Sequence, residues 1–160
     1  MQTFRIKPLA LFPRHWQQAA EWAFAAWQHE FPDDNVQTYL DQYALATINS
    51  GRLLEIHAAI TAQDELLGLA TLTDDDDLPD AIEPGPWLAA VYVTPTARQS
   101  GIGSKIVQHI VDRSRELGYS SLYLYTENQQ DWYRNKGWVF VRETTLNGLA
   151  HTVMRLDSKN

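Results

Sequence analysis

A glycine-rich turn connects the most apolar stretch of the chain to a segment with helical spacing. Trp87 to Val93 is apolar on both faces, and after Thr94-Pro95 the chain continues from Arg98 to Ser104 as RQSGIGS. The first backbone N–H groups of a helix have no partner, and the helix dipole adds positive potential there. Glycines let the backbone approach a ligand closely or adopt a positive φ angle. The pattern predicts an anion site that suits a diphosphate, to which Arg98 adds charge.

Two well-known phosphate motifs do not fit this segment. The dinucleotide fingerprint requires a third glycine where Ile106 stands, and the P-loop requires Gly-Lys-Ser/Thr where the chain has Gly103-Ser104-Lys105. A tight strand-to-helix turn explains the glycines equally well when the segment is taken alone. The neighbouring segments favour the anion site.

Two motifs at compatible spacing resemble the GNAT superfamily of N-acetyltransferases. Val91 to Ser104 reads VYVTPTARQSGIGS and resembles the acetyl-CoA motif, whose core is Q/R-x-x-G-x-G/A. Leu122 to Thr126, followed by WYRNKGW from Trp132 to Trp138, resembles the next strand of that superfamily and its F-Y-x-x-x-G-F/W signature. The resemblance is strong from Trp87 to Val141 and consistent over the rest of the chain.

The resemblance implies that acetyl-CoA is the co-substrate and assigns a binding role to most of this stretch. The pantetheine arm would lie between two splayed parallel strands, bound by the main chain of Val91, Tyr92 and Val93. The N–H of Val91 or Tyr92 would polarise the thioester carbonyl. Thr126 stands where many relatives carry an asparagine that binds the arm, and Asn128 is close to it in sequence. The diphosphate would be held by the loop residues Arg98, Gln99, Ser100, Gly101, Ile102, Gly103 and Ser104.

Tyr133 and Glu83 are the candidate catalytic residues. Tyr133 matches the tyrosine that commonly protonates the departing thiolate, and its alternative role is to pack its helix on the sheet. An alkylammonium group, with a pKa of about 10.4, must lose a proton before its nitrogen can attack. Leu88 to Val91 contains no acid where relatives often place one, so Glu83 and Asp80 are the nearest candidate bases. The alternatives are that both are exposed loop acids and that water removes the proton.

Composition restricts the partners of this 160-residue chain. Its formal charge is −7, and six acids between Asp74 and Glu83 have no Lys or Arg among them. This excess of acidic residues argues against a nucleic-acid partner and favours a cationic acceptor. No stretch has the apolar length of a membrane span, and the first residues lack the apolar run of a signal peptide. We therefore expect no membrane partner and a cytoplasmic location.

The residues that commonly bind metals show no metal-site pattern. Cysteine is absent, which excludes a thiolate nucleophile and a zinc site built on sulfur. The calcium-loop pattern fails because Leu78-Pro79 follows the aspartates. His15, His29, His57 and His109 do not have the spacing typical of metal ligands. The resemblance implies that His151 would face the acceptor side of the fold. We therefore expect no metal site.

The predicted elements form a single domain over residues 1–160 in the order β-α-α-β-β-β-α-β-α-β-β, which is typical of an α/β (α+β) protein. Apolar spacing predicts helices over His15–Phe31 and Asn35–Asn49, and Asn147-Gly148 predicts a hairpin turn between the last two strands. The resemblance implies a GNAT-like mixed sheet, mostly antiparallel, of six to seven strands. About four helices would flank it, and the central parallel strand pair would be splayed.

The function implied by the resemblance is transfer of an acetyl group from acetyl-CoA to a primary amine of a small molecule or peptide. The amine would attack directly, without a covalent enzyme intermediate. The alternative is an acyl-CoA-binding regulatory module without transferase activity. Trp22 lies off the apolar face of the first helix, where it lines the acceptor pocket or forms a homodimer contact.

Overall fold

The computed structural model describes residues 3–158, which form a seven-stranded sheet in the order β1-β2-β3-β4-β5-β7-β6. β4 and β5 are parallel and the other neighbours are antiparallel, as predicted for the fold class. None of the helices in this range is long and apolar enough to cross a membrane. In chain order the elements are β1 (Phe4–Pro8), α1 (Trp16–Trp27), α2 (Val36–Leu45), β2 (Leu54–Thr61), β3 (Leu66–Thr73), β4 (Trp87–Val93), α3 (Ile102–Glu116), β5 (Ser121–Thr126), α4 (Gln130–Arg134), β6 (Val139–Leu146) and β7 (Leu149–Asp157).

Helices cover both faces of the central strands. On one face, Ile56, Ala58 and Ile60 of β2 pack with α1 and α2. On the other face, Ala59 of β2 packs with the apolar stripe of α3 that includes Ile106 and Ile110. Because side chains alternate between the two faces of a strand, all eight residues of β3 are buried. This burial explains why the central strands have continuous apolar sequences.

The first two helices end earlier than their apolar spacing predicts. α1 ends at Trp27, and the backbone continues into a turn. In this turn the N–H of Glu30 donates to the Trp27 carbonyl at 3.0 Å. α2 begins at the predicted N-cap, Asn35, whose side chain accepts from the N–H of Thr38. It ends at Leu45, because the Thr47 hydroxyl donates to the Ala44 carbonyl at 2.6 Å and competes with the helical pattern.

The parallel pair β4 and β5 separates soon after it forms. The strands are in register at Trp87 and Tyr123, and the N–H of Tyr123 donates to the Pro86 carbonyl at 2.9 Å. Farther along β4 the register with β3 shifts, so that two residues, Ala90 and Val91, face the single residue Ala70. Ala90 has a φ of +52°, which marks a β-bulge that bends the strand. The bend opens a wedge between β4 and β5, as expected.

The last two strands form the predicted hairpin. Asn147 and Gly148 both have positive φ angles, as a two-residue type I′ turn requires. The Asn147 side-chain amide also donates to the carbonyl of Glu30, in the turn after α1. The hairpin is thereby fixed to the α1 side of the sheet, with His151 of β7 buried behind that turn.

A charged cluster connects β2 to α3. Arg113 binds Glu55 with two parallel N–H···O bonds of 2.9 Å. The same carboxylate lies 2.9 Å from Nε2 of His57, whose Nδ1 lies 3.0 Å from Nε2 of His109. These contacts lower the pKa of Glu55 from 4.5 to about 2, first through the bond to His57 and then through Arg113. The ionised carboxylate therefore stabilises the packing of α3 on the sheet.

Glu55→Gln tests this contribution. Because folding lowers the pKa of Glu55, its ionised carboxylate adds to the free energy of unfolding. This contribution is fully present above pH 4.5 and is lost as the pH falls through about 2. We expect the variant to lose about 2 kcal/mol of unfolding free energy at pH 7. The difference from the unmodified chain should shrink towards zero at pH 2, as measured by urea denaturation over a pH series. Glu116→Gln is the control, because its ion pair with Arg113 is exposed and weak. Equal losses in both variants would contradict the interpretation.

Candidate active site

A cavity of about 340 Å³ opens where β4 and β5 separate. One wall is the bulged part of β4, from Leu88 to Val91, and the opposite wall is the end of β5 with the loop from Leu124 to Gln129. Tyr133 of α4 and aromatic residues from the α1–α2 region, Trp27 and Tyr39, close the remaining sides. The wedge thus becomes a pocket that is open to solvent and lined by both main chain and side chains.

Carboxylates dominate the charge of this cavity. Arg52 is the permanently cationic side chain of the lining, and it is held by Asp74 at 3.0 Å. The excess of negative charge in one concave surface attracts cations and disfavours anions. The acidic residues of the lining are Glu30, Asp34, Asp75, Asp76, Asp77 and Glu127.

Asp76 has the most perturbed environment of these acids. Burial is the main cause that raises its pKa well above the usual 3.8, and the nearby charges of Asp77, Glu30 and Asp75 raise it further. The Tyr125 hydroxyl donates to the Asp76 backbone carbonyl at 2.7 Å and fixes the segment on the cavity wall. Asp76 therefore takes up a proton more readily than an ordinary aspartate does.

Glu30 and Glu127 each lie against a histidine. His29 Nε2 is 3.1 Å from Glu127 Oε2, and buried His151 has its Nε2 3.0 Å from Glu30 Oε1. In the part of the chain that the structure describes, His29, Glu30 and Glu127 form a group that could hold a metal ion, with ligand atoms within 4.8 Å of one another. The two carboxylate–histidine contacts already account for this closeness. Sequence reasoning missed the group because its members follow α1 and β5, about 100 positions apart.

Tyr133 is placed by aromatic packing. Its ring meets Trp132 and Trp138 edge to face, with centroids 4.9 and 5.7 Å away. The residue is 8% exposed and lines the cavity, and burial alone raises the pKa of its phenol. The phenol therefore keeps its proton at all ordinary pH values and can donate a hydrogen bond into the cavity.

The glycine-rich loop presents a row of free backbone amides. Within residues 3–158, no backbone carbonyl or side chain accepts from the N–H groups between Arg98 and Ser104. Gln99 and Gly101 have φ angles of +65° and +85°, which turn the chain into α3. The Arg98 Nε donates to the Val93 carbonyl at 2.9 Å, which places the guanidinium 5.7 Å from the centre of the Tyr92 ring. This exposed turn can bind an anion at the start of α3.

The structure distributes the residues identified from sequence over two adjoining regions. Val91, Thr126, Asn128 and Tyr133 line the cavity. Tyr92, Val93 and the loop from Arg98 to Ser104 lie outside that lining. The loop adjoins the cavity only through neighbours of lining residues, because a Cβ atom on Gly103 would meet Val93 at 3.5 Å and Trp132, the residue before Tyr133, at 3.7 Å. The Thr126 hydroxyl accepts from the N–H of Gln129 at 3.1 Å, and Trp22 stacks on Tyr92 at 5.3 Å.

Glu83 lies away from the cavity lining. Its carboxylate accepts from Arg142 at 2.8 and 2.9 Å, and this ion pair lowers its pKa. Asp80 accepts from the same guanidinium at 3.0 Å and from the Thr144 hydroxyl at 2.6 Å. A carboxylate whose pKa is lowered and whose oxygens are bound is a poor proton acceptor, so the acids that face the cavity are better placed for that role.

Comparison with known proteins identifies a common family. The family model described as "Acetyltransferase (GNAT) family" matches residues 16–138. An amino-acid acetyltransferase of Neisseria meningitidis is 27% identical over 73 residues, which are 46% of this chain and 17% of that protein. The chain thus spans less than a fifth of the length of this relative.

Solved structures share the fold at low sequence identity. A crystal structure of an acetyltransferase from Streptococcus agalactiae has a TM-score of 0.72 and 16% identity, covering 99% of this chain and 100% of that one. An aminoglycoside 6′-N-acetyltransferase complexed with coenzyme A has a TM-score of 0.73 and 17% identity, covering 96% of both chains. At these identities the likeness supports the fold alone.

Proposed function

Because the chain belongs to the GNAT acetyltransferase family, we propose that it transfers the acetyl group of acetyl-CoA to a primary amine. The observation that carries this proposal is the wedge between β4 and β5, which adjoins both the free loop amides and the acidic cavity. We further propose that the whole chain forms one acetyltransferase domain. The comparisons give no support to a regulatory module without activity.

We infer the orientation of the co-substrate from the loop and the wedge. The amides between Arg98 and Ser104 would bind the diphosphate, and the pantetheine arm would follow β4 towards the cavity. Val91 is a better donor to the thioester carbonyl than Tyr92, because Tyr92 is in register with Leu69 whereas Val91 belongs to the bulge. Thr126 and Asn128 face the same opening from the β5 side.

We assign the amine to the acidic side of the cavity. Its carboxylates favour a cationic acceptor, and the neutral amine must form there before attack. Asp76 accepts one proton from the ammonium group, and the freed nitrogen forms a bond to the thioester carbon. The Val91 N–H stabilises the oxyanion. As the carbon–sulfur bond breaks, Tyr133 donates a hydrogen bond to the sulfur, which takes up the second proton from nitrogen as the amide forms.

Turnover can be tested with a panel of amines. We expect release of free CoA with polycationic amines such as polyamines and aminoglycosides, and slower release with neutral or acidic amino acids. Tyr133→Phe should reduce kcat roughly 10- to 100-fold, because the sulfur loses its hydrogen-bond donor. Tyr123→Phe is the matched control, since Tyr123 is equally buried but lies outside the cavity lining. The proposal fails if no amine releases CoA, and the role of Tyr133 fails if its variant keeps full activity.

Two glycines at opposite ends of α3 test the diphosphate loop. Gly101 and Gly118 have φ angles of +85° and +93°, and nothing lies within 4 Å of a Cβ on either. Aspartate at each position thus has the same backbone strain, but only Gly101→Asp places negative charge beside the free amides. We expect it to weaken CoA binding at least tenfold by calorimetry, while Gly118→Asp binds normally. Equal affinities for the two variants would refute the loop assignment.

Asp76→Asn and Glu83→Gln distinguish the two candidate bases. The raised pKa of Asp76 predicts that kcat falls as the pH drops through that value, because a protonated carboxyl cannot accept the amine's proton. Asp76→Asn should remove this fall of kcat at low pH and lower kcat by roughly 10²-fold or more. Glu83→Gln should still show the fall of kcat at low pH. If Glu83→Gln removes that fall instead, the base is Glu83 and our assignment is wrong.

A further inference from the structure

Glu30 is a nearly buried carboxylate with a dedicated partner on a distant strand. It lies in the turn after α1, lines the cavity, and has a side chain that is 12% exposed. Its Oε1 atom is 3.0 Å from Nε2 of His151 on β7, 121 positions later in the chain. The backbone carbonyl of Glu30 also accepts from the Asn147 side chain. Main chain and side chain of Glu30 are therefore both held by the β6–β7 hairpin.

Both ring nitrogens of buried His151 have hydrogen-bond partners. The ring is 1% exposed and lies edge to face against Tyr125, with centroids 5.7 Å apart. Its Nδ1 lies 2.9 Å from the Leu149 carbonyl oxygen, and its Nε2 faces the Glu30 carboxylate. These contacts fix the orientation of the ring directly behind Glu30.

The second carboxylate oxygen of Glu30 remains available. Among residues 3–158 nothing donates a hydrogen bond to Oε2, and this atom is not sealed from solvent. One oxygen is thus bound by His151 and the other is open to the cavity. A carboxylate held in this way is a fixed acceptor for a cation that enters from solvent.

Glu30 and Asp76 differ in what surrounds them. Burial and neighbouring carboxylates raise the pKa of Asp76, so this residue readily takes up a proton. Glu30 instead has one carboxylate oxygen held by His151, and it lines the cavity with the other oxygen free of donors among residues 3–158. The charge of Glu30 acts on Asp76, so the two groups lie close together in the cavity. A cation bound by Glu30 would therefore lie near the proton acceptor.

We propose that Glu30 binds an ammonium group of the acceptor through Oε2, and that His151 is the positioning residue that orients the Glu30 carboxylate. This inference rests on the proposed function and identifies the group that recognises the acceptor. The ligand class is an alkylammonium. The titratable groups around Glu30 are His151, His29 and Glu127, together with Asp76, Tyr125 and Tyr39, which lie within reach of its charge.

Steady-state kinetics with acetyl-CoA and the best amine of the panel test the role of Glu30. Glu30→Gln should raise the KM for the amine at least tenfold, because the amide lacks the charge that binds ammonium. Its kcat should change less than threefold, and its affinity for CoA should not change. Glu143→Gln is the matched control, since Glu143 is an exposed carboxylate that accepts from Thr152, next to His151. An unchanged KM for the amine in Glu30→Gln overturns the proposal.

The role of His151 has a spectroscopic readout that does not depend on activity. In the unmodified protein, ¹⁵N NMR of the His151 ring should show an Nε2 signal that is perturbed by its hydrogen bond to Glu30. Glu30→Gln should move this signal much more than it moves the Nδ1 signal, whose partner is the Leu149 carbonyl. His151→Gln should raise the KM for the amine less than Glu30→Gln does. The NMR comparison decides the matter even if His151→Gln does not fold, and an Nε2 signal that Glu30→Gln leaves in place overturns the positioning role.

Three further outcomes separate this inference from its competitors. If calorimetry detects CoA binding but no amine is acetylated, the proposed function fails and the role of Glu30 in acceptor binding fails with it. If acetylation occurs and Glu30→Gln behaves like Glu143→Gln, the proposed function stands and this inference fails. In the third outcome, EDTA abolishes activity, and a divalent metal restores it in the unmodified protein but not in His29→Gln. This result would show that Glu30 ligates a metal together with His29 and Glu127.

Discussion

The separation of β4 from β5 is the constraint on which the rest of the structure depends. Two parallel strands in the middle of a sheet normally stay paired, because unpaired backbone groups in a protein interior are costly. Here pairing is confined to the register of Trp87 with Tyr123, and the bulge at Ala90 and Val91 turns β4 away. A left-handed alanine costs roughly 1–2 kcal/mol. That strain and the unpaired main chain are understandable if a substrate supplies the missing strand contacts, which is the arrangement that we propose for the pantetheine arm.

A second constraint is electrostatic, since the cavity gathers more carboxylates than cationic side chains. Three acids with similar chemistry have different surroundings. Glu83 is bound by Arg142 outside the cavity, Glu30 is held by His151 at its wall, and Asp76 lies among other acids. The pKa of Glu83 is lowered and that of Asp76 is raised, and shifts in opposite directions commonly mark acids with different roles. In the roles that we propose, carboxylates within one small region thus serve structure, acceptor binding and proton transfer.

The sequence is informative where the signal is local. The strand Trp87–Val93 was predicted with the bounds that the structure has, because a doubly buried strand must be apolar at every position. The predicted helices run four residues too long, because apolar spacing continues past Trp27 and Leu45 into turns closed by side-chain and backbone contacts. The bulge at Ala90 left no such signal, since alanine has no preference for a left-handed conformation. Glu30 and His151 were not linked by any spacing, because their contact exists only once α1 and the β6–β7 hairpin pack together.

Close packing around Gly68 on β3 connects the glycine-rich loop to the wedge. A Cβ atom at this position would meet the Tyr92 carbonyl oxygen at 2.7 Å and the Ile106 side chain at 2.8 Å. The backbone of β3 therefore touches both β4, just after its bulge, and the first turns of α3. Because α3 starts at the glycine-rich loop, this contact fixes the free amides relative to the opening between β4 and β5. A diphosphate bound at one end and a thioester at the other would thus be held at a set separation by close packing, without a flexible connection between the two sites.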